Sequence, residues 1–348
     1  MATSKTYYIL ILFAGFFSCK TQGQPAKTKI FTVETASLES DTVLTSAVYF
    51  GGRIFCLQAN HKIFVLDTLL QKDYDLTAKF SEIKADFIHP SDDTIFIGTR
   101  KDLYFLDEEL MPRKYNLQRF RDGLPYYEDE TYDVHACSAG EWGGAVFFWD
   151  KRAGSTYSYP ATDVQQVLKF SGSYVVSSYL SHMSGISDYL FIKDPTELYQ
   201  LQNGRPKKNC NWYMAVDSIK GKKLFDTATP PGVKYYSDNF ITRTLVTFPY
   251  KDELYSIYCT DRATILAKFH NSRLVPLDTL LSHELTFSDT KTHLAESAVV
   301  TAYKATWAMG DHVSTIRPYQ NTGLIVIRNN KIIFVQIQTP HMWTNDRR

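Results

Sequence analysis

Two stretches of this 348-residue chain repeat one another at an offset of 40 or 41 residues. Ile54-Phe-Cys-Leu57 and Ile63-Phe-Val-Leu-Asp67 correspond to Ile95-Phe-Ile-Gly98 and Leu103-Tyr-Phe-Leu-Asp107, and Tyr74-Asp-Leu76 corresponds to Tyr115-Asn-Leu117. In each copy two apolar runs flank a short polar turn, residues 58–62 and 99–102, which predicts a β-hairpin followed by a further strand. A unit this small cannot bury both faces of its own sheet, so copies must stack on one another. A period near 40 with several short strands per unit is the spacing of propeller blades.

Weaker copies follow. Leu254–Cys259 with Ala263–Phe269 and Gly323–Ile327 with Lys331–Val335 read as hairpins, and Leu277-Asp-Thr-Leu-Leu281 is identical to Leu66–Leu70. Between them lie Ala145–Trp149 with Ser155–Tyr159, and Ser173–Tyr179 with Tyr189–Ile192. No long amphipathic helix interrupts the pattern. The expected fold is an all-β propeller of seven blades, within a range of six to eight, forming one domain over residues 31–348. A pair of β-sandwiches or a β-helix are the competing architectures. The 50 aromatic residues (Phe 22, Tyr 23, Trp 5) suit such pleated contacts between blades. With 44% hydrophobic residues, 17 Gly and 13 Pro, the chain is neither disordered nor collagen-like. One segment, Ser91-Asp-Asp-Thr-Ile-Phe-Ile-Gly-Thr-Arg-Lys-Asp-Leu-Tyr-Phe-Leu-Asp107, resembles the two-component-regulator propeller repeat, with Phe96 in place of the usual Trp and Lys101-Asp102 where a Gly is expected. The resemblance implies propeller architecture and no sensor function.

The N-terminus reads as an address. Lys5 precedes an apolar run from Tyr7 to Phe17, and Ser18-Cys19 closes it. Eleven residues span only about 16 Å as a helix, short of a membrane core of about 30 Å, so the run is a signal-peptide core over residues 1–18. A small residue followed by Cys at this point resembles the lipobox of bacterial lipoproteins, and the looseness of the box, with Phe16 and Phe17, resembles those of Bacteroidota. That resemblance implies acylation of Cys19, a tether over residues 19–30, and an outer-membrane lipoprotein facing the periplasm, since Lys20 rather than Asp follows the Cys. Several acyl chains on one Cys anchor stably. Without residues 1–18 the chain carries 37 basic and 37 acidic residues, and a formal charge of zero gives no nucleic-acid footprint. Cys56, Cys137, Cys210 and Cys259 allow three disulfide pairings; the apolar runs around Cys56 and Cys259 favour plain buried thiols.

Searches for chemistry return negatives. His283-Glu284-Leu-Thr-Phe287 lacks the second His of a zincin helix, and Ser184 has His182 and Ile186 where a nucleophile elbow needs glycines. There is no P-loop, no G-x-G-x-x-G and no sialidase Asp-box, and the nine histidines form no metal-ligand pattern, so neither cofactor nor metal is expected. Arg205-Pro-Lys-Lys208 is a short basic turn.

The richest segment runs from Asp122 to Asp133. It holds Asp122, Glu128, Asp129, Glu130 and Asp133 among Tyr126, Tyr127 and Tyr132. Carboxylates accept hydrogen bonds from sugar hydroxyls and tyrosines offer stacking faces, while the same acids would suit Ca²⁺. The plainer reading is a solvated connector whose tyrosines fold back on a blade edge. The pair of patches Glu141-Trp-Gly-Gly144 and Phe148-Trp-Asp-Lys151 is a second candidate, with Trp142 either lining a pocket or capping the stack between blades. The expected function is a lipid-anchored, non-catalytic binding or scaffold module for a protein partner or an envelope glycan. The alternative is a carbohydrate-active propeller, a glycoside hydrolase or lyase, with acids from separate blades.

Overall fold

The computed structural model describes residues 29–91, 94–115, 125–138, 144–180, 186–201, 230–238, 243–287, 293–294, 298–305 and 321–339. Cys19, Asp122, Trp142, Ser184, Arg205–Lys208 and Cys210 lie outside them.

Six sheets succeed one another as propeller blades. The chain opens with β1 (Thr32–Glu39), then builds blade 1 from β2 (Leu44–Phe50), β3 (Arg53–Gln58) and β4 (Ile63–Leu66), followed by the helix α1 (Tyr74–Ala78). Blade 2 is β5 (Phe87–Ser91), β6 (Thr94–Gly98), β7 (Leu103–Leu106) and β8 (Pro112–Tyr115). Blade 3 is β9 (Tyr127–Glu128), β10 (Tyr132–Ser138), β11 (Gly144–Asp150) and β12 (Thr156–Pro160). Blade 4 takes β13 (Val164–Phe170), β14 (Ser173–Leu180) and β15 (Ile186–Ile192); the chain then lays β16 (Tyr199–Gln200) on the outer edge of blade 3 and returns to complete blade 4 with β17 (Val233–Asp238). Blade 5 is β18 (Arg243–Tyr250), β19 (Glu253–Cys259), β20 (Thr264–His270) and β21 (Arg273–Leu281). Blade 6 holds β22 (Leu285–Phe287), β23 (His293–Leu294), β24 (Val299–Ala305), β25 (Asn321–Arg328) and β26 (Lys331–Gln338), with β1 added in parallel outside β26.

The described strands form six blades, within the expected range; blade 4 (Val164–Asp238) and blade 6 (Leu285–Gln338) each take more chain than one 40-residue period, so dividing the length by the period overshoots. The repeat is structural where it is closest. Asp67 and Asp107 each turn the chain identically: the carboxylate Oδ1 accepts from the amides two and four residues on, and Leu70 and Leu110 both adopt φ near +60°. Two expectations need correction. Tyr74-Asp-Leu76 is not a strand like Tyr115 but the start of α1, because Asp73 caps it by accepting from the Leu76 amide. Leu277–Leu281, identical to Leu66–Leu70, lies within β21, where pairing with β20 replaces the turn. Local sequence yields to tertiary pairing there. Helix α1 also closes the open edge of blade 1, since the Val65 amide donates to Thr77 Oγ1 and the Val65 carbonyl accepts from Asp73 N.

The continuous apolar run of β3 is explained by burial on both faces. Ile54 and Cys56 pack with Val300, Leu324 and Val335 of blade 6, whereas Phe55 and Leu57 pack with Ile88, Ile95 and Ile97 of blade 2. Polar bonds key the seams between blades. Gln166 and the Thr247 backbone exchange two hydrogen bonds of 2.8 Å across blades 4 and 5, and the Leu44 amide donates to Thr322 Oγ1 at 2.9 Å where blade 1 meets blade 6. First strands β2, β13 and β18 each carry a bulge near their start.

Each first strand begins at the end of the disc that carries the turns between second and third strands, such as 59–62, 99–102 and 260–263. The opposite end carries the turns between first and second strands, such as 51–52, 129–131, 171–172 and 251–252. Cys56, Cys137 and Cys259 are not joined to one another, and every complete pairing of the four later cysteines would require two of these three to bond. A two-disulfide framework is therefore absent. Cys56 and Cys259 are fully buried, and the Cys259 sulfur also accepts from the Leu285 amide at 3.3 Å.

Candidate functional site

Seven of the nine candidate binding residues come together in one hairpin, where β9 turns into β10 at the inner edge of blade 3. The turn is tight: the Asp129 amide donates to the Tyr132 carbonyl, and Asp129 Oδ1 accepts from the amides of Thr131 and Tyr132, both at 2.9 Å. Asp129 Oδ2 reaches across the seam to blade 4, accepting from Tyr174 Oη at 2.6 Å and Lys169 Nζ at 2.9 Å. Burial alone would raise the Asp129 carboxyl; hydrogen bonds from Tyr174, Lys169 and the two amides outweigh it and hold it at about 2. Glu128 and Asp133, neighbours across the β9–β10 ladder, share Lys151 at 2.6 and 3.0 Å.

The tyrosines turn inward. Tyr132 is buried, edge-on to Phe148 and Tyr174, and Tyr127 meets Tyr174 at a centroid distance of 5.9 Å. Burial pushes the Tyr126 and Tyr132 phenols up to about 12. Of the seven, Glu130 alone is exposed. The two remaining candidates, Asp122 and Trp142, lie outside the described residues. Sequence reasoning placed Lys151 in the second candidate patch but linked neither it nor Lys169 and Tyr174 to the hairpin; Lys151 is separated from Glu128 by 23 residues, and only strand pairing brings them together.

A second feature had no place among the candidates. A groove of about 500 Å³ opens between blades 1 and 2 at the opposite end of the disc, lined among others by His61, Lys84, Asp86, Arg100, Lys101 and Tyr104. The β3–β4 turn supplies His61 and the β6–β7 turn supplies Arg100 and Lys101. These are corresponding turns of the 40-residue repeat, and that correspondence was the available clue. His61 Nδ1 lies 3.1 Å from the Ala85 carbonyl and 3.2 Å from Asp86, so Nδ1 carries the proton and Nε2 is the ring's other polar atom. Thr99 Oγ1 accepts from the amides of Lys101 and Asp102, which fixes the turn that displays Arg100 and Lys101.

No protein-family model matches the chain, and no curated protein matches it by sequence. Solved structures similar to it include a putative 6-phosphogluconolactonase from Bacteroides fragilis, at 10% identity and a TM-score of 0.35 over 86% of this chain and 99% of that one. BamB from Moraxella catarrhalis is similar at 11% identity and a TM-score of 0.29, covering 73% of this chain and 68% of that one. PorZ, a bacterial surface component of the type-IX secretion system of Porphyromonas gingivalis, is similar at 10% identity and a TM-score of 0.29, covering 82% of this chain and 41% of PorZ. The assignment as a six-bladed β-propeller stands on the chain's own sheets and their pairing.

Proposed function

We propose that this propeller is a lipid-anchored, non-catalytic binding module of the bacterial cell envelope, held at the outer membrane by an acylated Cys19 and facing the periplasm. The observation that carries the non-catalytic reading is the internal commitment of the acidic hairpin: Asp129 has both oxygens occupied and is held at about 2, and Glu128 and Asp133 flank one ammonium. A general acid or base needs a proton affinity near working pH and a free oxygen. Here Asp129 binds blade 3 to blade 4, while Glu128 and Asp133 tie the hairpin to Lys151 within blade 3, and together they fix the rim on which a partner would rest.

The anchoring reading is supported by Ser18-Cys19 after the apolar run and by the place where the tether meets the fold. Thr32 starts β1 on the outer edge of blade 6, beside Lys331 and the β25–β26 turn. Residues 19 to 32 reach at most about 45 Å, enough to hold the disc close to a membrane. The test is recovery of the native lipoprotein from its membrane. Palmitate incorporated by the wild type and lost in Cys19→Ala, together with a stoichiometric protein or glycan partner, is the expected result. Label entering both forms equally overturns the anchor, and turnover of a glycan with no retained partner overturns the binding reading in favour of a carbohydrate-active enzyme.

A further inference from the structure

The groove between blades 1 and 2 differs from the hairpin in how its charges are settled. Of its carboxylates, Asp86 faces His61 and Asp102 holds Lys114 at 2.7 Å. Lys84, Arg100 and Lys101 are exposed at its rim, and among the described residues no carboxylate forms an ion pair with any of them. Glu82 is the third acid on the wall, and the contact with His61 offsets the Asp86 charge only when the imidazole is protonated. Three cations, Lys84 from the segment between α1 and β5 and Arg100 and Lys101 from the β6–β7 turn, thus line one concave surface, while the half-buried Ile83 and Tyr104 supply carbon surface between them. A volume of about 500 Å³ is that of a small-molecule site and far exceeds a bare inorganic ion.

We infer that this groove binds a soluble organic anion, with phosphate or carboxylate groups held by Lys84, Arg100 and Lys101 and a carbon skeleton laid on Ile83 and Tyr104. Arg100 offers a planar donor fork that matches either group, and the lysines add point charges. The inference deepens the binding-module reading and rests on it. Solubility of the ligand follows from the direction of the tether. β1 starts at the end of the disc that carries turns 51–52 and 171–172, whereas the groove opens among turns 59–62 and 99–102 at the other end. An anchor through Cys19 would join the disc at the end away from the groove, which favours a soluble ligand over a lipid headgroup.

The experiment is calorimetric titration of the full mature chain with inorganic pyrophosphate and with citrate at low salt, alongside sedimentation with phosphatidylglycerol and phosphatidylcholine vesicles. Binding of pyrophosphate or citrate is expected, weakened about tenfold or more by the double substitution Arg100→Ala and Lys101→Ala, and strengthened severalfold by Glu82→Gln, which removes one of the opposing charges on the wall, Asp86 being another. The Glu82 arm guards against mere unfolding, because a destabilised groove would not bind more tightly. Absence of binding to both probes, or equal affinity in the double variant, overturns the site. Binding to phosphatidylglycerol vesicles with neither soluble anion bound overturns the ligand class, since the groove would then face a headgroup layer. Failure to recover a protein or glycan partner from the membrane leaves these titrations unaltered, so the two readings fail separately.

Discussion

Replacing Asp129 by Asn keeps the side chain's volume and its acceptor for the amides of Thr131 and Tyr132, and removes only the charge that Tyr174 and Lys169 serve. Depression of the carboxyl from 3.8 to about 2 corresponds to about 2.4 kcal/mol of preferential stabilisation of the charged form. The site is partly open to water, and screening reduces that to about 1–2 kcal/mol at neutral pH. The sign is set by the direction of the shift. A carboxyl depressed in the folded state contributes fully above its unfolded value of about 3.9, and the contribution is lost as pH falls towards 2. The difference in unfolding free energy between wild type and Asp129→Asn should therefore be about 1–2 kcal/mol at pH 7 and at pH 5, and shrink steadily below pH 4. Denaturant titration at each pH, compared at equal m-values, reads it. A difference that stays constant from pH 7 to pH 2.5, or that is absent at pH 7, would refute the claim that the charge on Asp129 holds blades 3 and 4 together.

Other substitutions probe the ring itself. Phe31, just ahead of β1, packs on Tyr250, Tyr255 and Phe248 at centroid distances of 4.7 to 5.8 Å, so Phe31→Ala should destabilise by about 3–5 kcal/mol and lower the melting temperature by many degrees; an unchanged melt would show that the N-terminal segment is an ornament on the fold. Thr322→Val leaves the buried Leu44 amide without its acceptor and should cost about 1–3 kcal/mol in a chemical melt. A Cβ at Gly323 would fall 2.3 Å from the Val335 carbonyl oxygen, so Gly323→Ala should lose about 1–3 kcal/mol by overpacking, read as an earlier thermal transition. Burial pushes the Cys259 thiol up to about 11 and the Cys56 thiol still higher, so iodoacetamide at pH 8 should modify neither in the folded protein and both after unfolding; mass spectrometry decides it.

The architecture was legible because its cause is local and repeated. β3 and β6 read as buried strands from the apolar runs Ile54–Leu57 and Ile95–Ile97, and Asp67 and Asp107 mark the same turn, since a side chain that bonds amides two and four residues away needs no distant partner. The burial of Cys56 and Cys259 was legible on the same grounds. Partners were not. Lys151 and Lys169 find Glu128 and Asp129 only because β11 lies beside β10 and blade 4 lies beside blade 3; the 23 residues between Glu128 and Lys151 match no repeat, and the 40 between Asp129 and Lys169 span one blade without marking which side chains meet.

Leu-Asp-Thr-Leu-Leu shows the division most plainly, turning the chain at Asp67 and lying within a strand at Asp278. Composition and the 40-residue period by themselves determined that this chain stacks small β-units on one another and favoured a ring over a sandwich pair or a β-helix, because side chains on both faces of each strand must be buried against two neighbours. Only the tertiary structure decided that there are six blades, that β16 crosses to its neighbour's edge, and which charges are spent inside the protein and which face a groove. Pairing energies between strands depend on which segments meet in space, and that is a property of the closed ring rather than of any segment within it.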